Sequence, residues 1–302
     1  MHLLLLLLVC LALGAALGRL ERLPPQAPAV LNAWIVDVAL PALVVLQIPR
    51  LQLDPRLLFL AGACWFVFAG ALVLMPVAGR LAGWPPETVG ALVLTCGLGN
   101  TAFMGYPLVE ALRGGAALGP AVLADQLGSF LALSTGGLLV AAAYSGVAAR
   151  PAQLAASVLR APPFLALLVG AAARAAGGWP AAVEAALQRL ADTMTPLALF
   201  SVGMQFRLGA LRGQRAAIAV GLSWKMVLAP LGVLLSARAL GLGRAALATQ
   251  VAVLQAAMGP MITAGVLASR HRLAPPLATA LVGLGTLLAL VLVPAWAWLL
   301  HQ

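Results

Sequence analysis

The chain has 302 residues, of which 63% are hydrophobic and 9% are charged, and its formal net charge is +10 at pH 7. This composition excludes a soluble enzyme or a soluble binding domain and predicts an all-α polytopic membrane protein. Nearly all of the 17 arginines and the one lysine lie between apolar runs. This placement indicates membrane orientation and excludes nucleic-acid binding, which would need a soluble basic face.

Apolar runs of about twenty residues recur along the chain and predict ten membrane segments. The first five are 3–20, 28–49, 57–79, 87–112 and 117–146, and the last five are 161–176, 182–205, 215–238, 245–269 and 275–300. The first run has a plausible signal-peptide core, but no basic residue precedes it, so we expect a membrane helix. Residues 1–146 and 161–302 form two halves, which a short link at 147–160 joins.

Segment four is the least like an ordinary spanning helix, because three glycines, an Asn-Thr pair and a proline interrupt it between Gly97 and Pro107. Pro107 has no N–H, so the carbonyl of Phe103 loses its intrahelical partner, which is costly in lipid. Segment nine has a second break, where Pro260 frees the carbonyl of Ala256. Broken segments of this kind line the substrate cavity of many transporters.

Three successive segments of each half keep their prolines in nearly one register, which predicts a repeat. The matches are Asp37-x-x-x-Pro41 with Asp192-x-x-x-Pro196 at an offset of 155 residues, Pro76 with Pro230 at 154, and Pro107 with Pro260 at 153. Each half has five segments, and an odd number inserts the second half upside down relative to the first. The sequence therefore predicts two inverted five-helix repeats.

Loop arginines indicate the orientation of the chain. With the N-terminus outside, ten arginines lie in inner loops and seven in outer loops, which favours both termini outside. The composition is rich in Ala, Leu and Arg and poor in Lys, as in proteins of GC-rich bacterial genomes. We therefore expect a multi-pass protein of the bacterial inner membrane.

Polar and flexible residues near the two breaks are the candidate substrate-binding residues. A half-helix that begins at a break exposes N–H groups and partial positive charge that suit a carboxylate, so the residues after Pro107 and Pro260 are expected to present such ends. The side chain of Asn100 could bond a freed carbonyl or a substrate oxygen. The candidates are Asn100, Thr101, Gly105, Pro107, Met258, Gly259, Pro260 and Thr263. The alternative is that these residues only repair a kinked helix.

Several ionisable residues lie inside predicted segments, where a charge costs roughly 2.5–3.5 kcal/mol on insertion scales. Lys225 has three possible carboxylate partners, and the sequence does not choose among them. For Lys225 and Asp125 we favour a role in substrate binding or in coupling to protons. For Asp37 and Asp192 we favour a structural role. The candidates for coupling or ion pairing are Asp125, Lys225, Asp37, Asp192, Gln126 and Gln255.

The residues from Asn100 to Pro107 resemble the broken fourth helix of the auxin efflux carrier family, the PIN-like transporters. The run 192–203 is similar to that family's seventh helix and 256–260 to its ninth, and the resemblance covers essentially the whole chain. It implies the bile/arsenite/riboflavin transporter superfamily, with two inverted five-helix halves and crossing fourth and ninth helices. It also implies a homodimer that exports or exchanges organic anions, such as auxin in plants or malate and malonate in bacteria.

This chain departs from relatives of that family in two ways. Its link is too short to hold the long cytoplasmic loop of many plant members. Near the second break it has Gln250 and Gln255 where sodium-coupled relatives place a carboxylate. The predicted function is therefore secondary active efflux or exchange of a small organic anion by alternating access, and a sodium-coupled symporter of the bile-acid-carrier type is the alternative.

Two other classes of function fit less well. An intramembrane aspartyl protease needs two aspartates in glycine-flanked motifs, but Asp37 follows Val36 and Asp192 follows Ala191. The sequence has no Ser/His pair and no metal-ligand spacing, so we expect no enzyme, no catalytic residues, no metal and no cofactor. A receptor or scaffold without transport would need a soluble surface, and the short loops offer little of it.

Overall fold

A computed structural model describes residues 2–20, 22–51, 54, 57–146, 156, 158–205 and 213–301. Every regular element in those ranges is a helix, apart from one isolated β-bridge. In chain order the helices are α1 (His2–Arg19), α2 (Ala27–Arg50), α3 (Leu57–Ala82), α4 (Pro86–Gly97), α5 (Gly105–Arg113), α6 (Gly115–Ser145), α7 (Pro162–Ala175), α8 (Ala181–Ala191), α9 (Met194–Met204), α10 (Arg215–Ala239), α11 (Leu247–Ala256), α12 (Ile262–Arg270) and α13 (Pro275–His301). The all-helical class is confirmed.

Within the described residues, five helices are long and apolar enough to cross a membrane, namely α2, α3, α6, α10 and α13. The remaining apolar helices are shorter, and three of the predicted segments are divided into two helices. Segment four consists of α4 and α5, segment seven of α8 and α9, and segment nine of α11 and α12. The inverted repeat, the orientation, the homodimer and the division into halves remain predictions.

The four candidate residues for coupling or ion pairing that are ionisable lie at helix irregularities. Asp37, Asp125 and Lys225 each lie in a π turn of α2, α6 or α10, and Asp192 lies in the two-residue gap between α8 and α9. A π turn changes the hydrogen-bond pattern of a helix and is frequent at functional sites. Irregular backbone and ionisable side chains therefore occur together in this chain.

Two prolines inside long helices leave carbonyl groups that tryptophan side chains distant in sequence satisfy. A carbonyl four residues before a proline has no N–H partner in its own helix, and lipid offers none. The indole Nε1 of Trp179 donates to the Val45 carbonyl, four residues before Pro49, at 3.1 Å. The indole Nε1 of Trp296 donates to the Met226 carbonyl, four residues before Pro230, at 3.0 Å. These bonds connect parts of the chain that are distant in sequence.

Two groups of contacts define the two ends of the helix bundle. At one end, which we call the Arg113 end, the Arg113 guanidinium donates to the carbonyl of Ala297 at 2.7 Å. At the other end, which we call the link end, Ser145 and His271 share a hydrogen bond of 2.9 Å. The link end is where the chain leaves α6 toward the second half.

Candidate functional site

The two interrupted segments pair with each other through their backbones. Gly99 and Pro260 form an antiparallel β-bridge. The N–H of Asn100 donates to the carbonyl of Gly259 at 2.8 Å, and the N–H of Met261 donates to the carbonyl of Leu98 at 2.9 Å. This pairing satisfies polar backbone groups that would be costly in an apolar bundle. We call the paired stretches, residues 98–104 and 257–261, the crossing.

The crossing depends on close backbone approach. A Cβ atom at Gly259 would lie 2.7 Å from the carbonyl oxygen of Gly285 in α13, which is nearer than a side chain tolerates. The side chain of Gln255 packs directly against Gly105. Its amide Nε2 donates to the carbonyl of Thr101 at 3.2 Å and to that of Ala121 at 3.4 Å. Gln255 therefore joins α11 to the crossing and to α6.

Asp125 accepts three hydrogen bonds from other side chains, although it is only 3% exposed. Thr101 donates its hydroxyl to one carboxylate oxygen. Tyr106 and Gln126 donate to the other oxygen, each at 2.9 Å. Three donors from the crossing, from α5 and from α6 itself replace the water that a buried carboxylate would otherwise need.

The first break lies earlier than the sequence predicts. The chain leaves the helical conformation after Gly97, and α5 already begins at Gly105, so Pro107 lies in the first turn of a new helix, where a missing N–H costs little. The N–H of Gly105 bonds to the carbonyl of Asn100 at 3.0 Å, and that of Tyr106 to the carbonyl of Ala102 at 3.3 Å. The N–H of Leu108 also bonds, to the carbonyl of Met104 at 3.0 Å. The prediction that residues after Pro107 present free N–H groups is therefore wrong.

The second break has the expected exposed helix start. α12 begins at Ile262, two residues after Pro260, and has no side-chain cap. Among the described residues, the N–H groups of Ile262, Thr263 and Ala264 have no backbone acceptor. They therefore give this end of α12 the partial positive charge of a helix N-terminus.

A cavity of about 170 Å³ lies in front of this helix start. Its polar lining residues include Asn100 and Gln126, whose side-chain Nδ2 and Oε1, respectively, are buried and have no hydrogen-bond partner in the described part of the chain. Asn100 is 2% exposed. The lining residues are Val36, Leu40, Asn100, Ala102, Phe103, Asp125, Gln126, Phe130, Leu133, Ala161, Pro162, Pro163, Met261, Ile262 and Thr263. We call this space the crossing cavity; it combines one polar region with apolar walls.

Lys225 contacts the crossing at Gly99 but does not line this cavity. Its ammonium donates to the carbonyl of Ala256 at 2.6 Å. Among the described residues, the ion pair within 4.0 Å joins Arg50 to Glu184, at 3.5 Å, and does not involve Lys225. The expected carboxylate partner is therefore replaced by the carbonyl that Pro260 deprives of its helical N–H.

The other candidates lie in different places. Met258 and Pro260 are buried within the crossing, whereas Asp37 is exposed on α2. Asp192 is exposed, accepts a hydrogen bond of 2.7 Å from Gln188, and lines a second cavity of about 170 Å³. The described residues contain no group of three or more His, Cys, Asp or Glu that could hold a metal ion.

Two residues of the site were missed as candidates. Tyr106 bonds to Asp125, and Glu110 lies in the second cavity with Tyr106 and Asp192. The available signal was helical spacing, because Tyr106 and Glu110 are four residues apart and share a helix face inside segment four.

Comparison with known proteins agrees with a transport role. The family described as membrane transport protein matches residues 1–297. A protein of Methanothermobacter thermautotrophicus (strain Delta H) described as an uncharacterized transporter is 25% identical over 292 residues, which cover 96% of this chain and 95% of that protein.

Proposed function

The chain belongs to the membrane transport protein family, the auxin efflux carriers, and on this premise we propose that it is a secondary transporter that binds a small organic anion in the crossing cavity. The observation that carries this proposal is the unpartnered Nδ2 of Asn100 beside the uncapped start of α12. Both groups are hydrogen-bond donors, and neither has a protein acceptor among the described residues.

The two sets of donors fit the two oxygens of a carboxylate. The N–H groups at Ile262 and Thr263 supply partial positive charge, and the Asn100 amide supplies a directed donor. The apolar part of the anion would contact the aromatic side chains of Phe103 and Phe130, which line the same cavity. A cavity of about 170 Å³ limits the cargo to a small molecule.

Asp125 connects anion binding to protons. A carboxylate cargo beside a charged Asp125 meets like-charge repulsion in a buried, apolar environment, and this repulsion favours a proton on one of the two groups. We propose that a proton accompanies the anion into the cavity. Protons are therefore the coupling ions in this scheme.

Transport would require the cavity to open at each end of the bundle in turn. The cavity is lined by Ala161 and Pro162 at the start of α7, toward the link end. Toward the Arg113 end, the bonded pair of Tyr106 and Asp125 closes it. We propose that the two predicted inverted halves move against each other around the crossing and exchange these two states.

The test replaces Asn100 by Ala in purified protein reconstituted into liposomes, with labelled indole-3-acetate and malonate as probes. We expect the flux of the transported probe to fall at least about tenfold, because a lost hydrogen bond to a charged group is worth roughly 1.5–3 kcal/mol. Asn32 is the matched control, since it is the other asparagine of the chain and lies outside the cavity, where it accepts a bond from Ser201 at 2.6 Å.

The Asn32→Ala variant should keep the wild-type flux, and both variants should remain monodisperse with similar unfolding midpoints. Wild-type flux in Asn100→Ala would refute the assignment of the site. Failure of the wild type to move any member of a panel of small mono- and dicarboxylates would refute the function.

A further inference from the structure

One side of the crossing carries partial negative charge, which attracts cations. α4 ends at Gly97 and α11 ends at Ala256, so two helix C-termini approach it. A helix C-terminus carries carbonyl groups without helical partners and a partial negative charge. Pro260 lies in the β-bridge with Gly99 and has no N–H, so position 260 gives the Ala256 carbonyl no helical partner. In broken-helix carriers generally, such carbonyls are where a coupling cation binds.

In this chain the side chain of Lys225 occupies the position beside the Ala256 carbonyl. The Lys225 ammonium donates to the Ala256 carbonyl at 2.6 Å, and the residue is 1% exposed. It also touches the first interrupted segment, since a Cβ atom at Gly99 would lie 3.0 Å from the Lys225 Nζ. A compact ammonium on a flexible stem suits a single carbonyl acceptor better than a planar guanidinium would.

We propose that the ammonium of Lys225 is a built-in cation of the crossing, which replaces a free coupling metal cation and makes anion transport independent of sodium. This inference rests on the proposed function, because it assigns a role at the same crossing. Lys225 acts as a positioning residue. It holds Ala256 against Gly99, and Gly99 directly precedes Asn100, so its charge fixes the amide that would meet the cargo.

A free cation can replace Lys225 once its side chain is shortened. Lys225→Ala retains Cβ and leaves a space that matches n-propylammonium, the part of the lysine that is removed. The unfolding midpoint in detergent is measured with n-propylammonium chloride and with choline chloride at equal ionic strength. We expect a lowered midpoint for Lys225→Ala and a saturable rise of several degrees with n-propylammonium, whereas the wild type should not respond.

Lys225→Met is the matched control, because its side chain fills most of the space without a charge. It should also have a lowered midpoint, but n-propylammonium should not raise it. A Lys225→Ala protein that responds to the amine no more than wild type does would overturn the proposal, and so would a Lys225→Met protein with the wild-type midpoint. Neither measurement needs a substrate, so both decide the role of Lys225 even if the proposed function fails.

Flux provides the second test. Wild-type liposomes should transport the anion at equal rates in sodium and in choline media, and Lys225→Ala should lose flux at least about tenfold and regain part of it with n-propylammonium. Sodium-dependent flux in the wild type would overturn the proposal that Lys225 is a built-in cation. A loss of flux in Asn100→Ala in the same vesicles would still support the anion site.

Discussion

Tyr106 donates its phenolic hydroxyl to Asp125 at 2.9 Å, and these two residues line different cavities. Asp125 belongs to the crossing cavity, which is lined toward the link end by the start of α7. Tyr106 belongs to the second cavity, together with Glu110 and Asp192, toward the Arg113 end. The hydrogen bond therefore lies between the two cavities, where the proposed alternating access requires a barrier between the two sides of the membrane.

Replacing Tyr106 by Phe keeps the ring and removes only the hydroxyl. Asp125 then loses one of its three donors, and a hydrogen bond to a charged group is worth roughly 1.5–3 kcal/mol. We expect anion flux into liposomes to fall about tenfold, and the unfolding midpoint to fall as well, because the lost bond also stabilises the folded protein. Tyr144 is the other tyrosine of the chain, and Tyr144→Phe should transport normally. Equal flux in the two variants would show that the contact has no part in transport.

Replacing Asp125 by Asn tests the coupling to protons. In the wild type a proton is taken up with the anion, so binding should tighten as the pH falls. The amide introduced by Asp125→Asn is permanently neutral, so the affinity of this variant should be nearly independent of pH. The measurement is equilibrium binding of a probe that stays ionised throughout the range. Asp192→Asn is the control and should keep the wild-type pH dependence; an unchanged pH dependence in Asp125→Asn contradicts the scheme.

Replacing Gly259 by Ala tests the close packing of the crossing. The added Cβ would lie 2.7 Å from the backbone oxygen of Gly285, which cannot move away as a flexible side chain could. We expect a destabilisation of about 1–3 kcal/mol and loss of flux. Gly62 in α3 has no neighbour within 4 Å of its added Cβ, so Gly62→Ala should retain stability and flux. A fully stable Gly259→Ala protein would show that the backbones are less closely packed.

Replacing Trp296 by Phe removes the donor to the Met226 carbonyl, which then remains buried without its partner. An unsatisfied buried group costs about 1–3 kcal/mol, so the thermal unfolding midpoint in detergent should fall. Trp298 is the control because it is 61% exposed, and Trp298→Phe should leave the midpoint unchanged. If both variants unfold at the same temperature, another group satisfies Met226.

The helical class, the membrane setting and the family could be read from the sequence, because apolar run length and local motifs carry them. The two breaks could be located approximately as well, since Gly, Asn, Thr and Pro act on their own neighbourhood. The position of Pro107 shows the limit of this reasoning. A proline disturbs the turn before it or begins a new helix, and which of the two occurs depends on where the preceding backbone finds partners.

The hydrogen-bond partners of the buried polar side chains depend on how the helices pack. The sequence offered three carboxylates for Lys225, but the structure gives it the Ala256 carbonyl, 31 residues away in the chain. Asn100 and Thr101 are adjacent, yet one side chain is left without a partner and the other bonds to Asp125. Hydrophobic periodicity and proline chemistry are local and can be read along the chain, whereas the acceptor of a buried donor is chosen by helices that meet only in three dimensions.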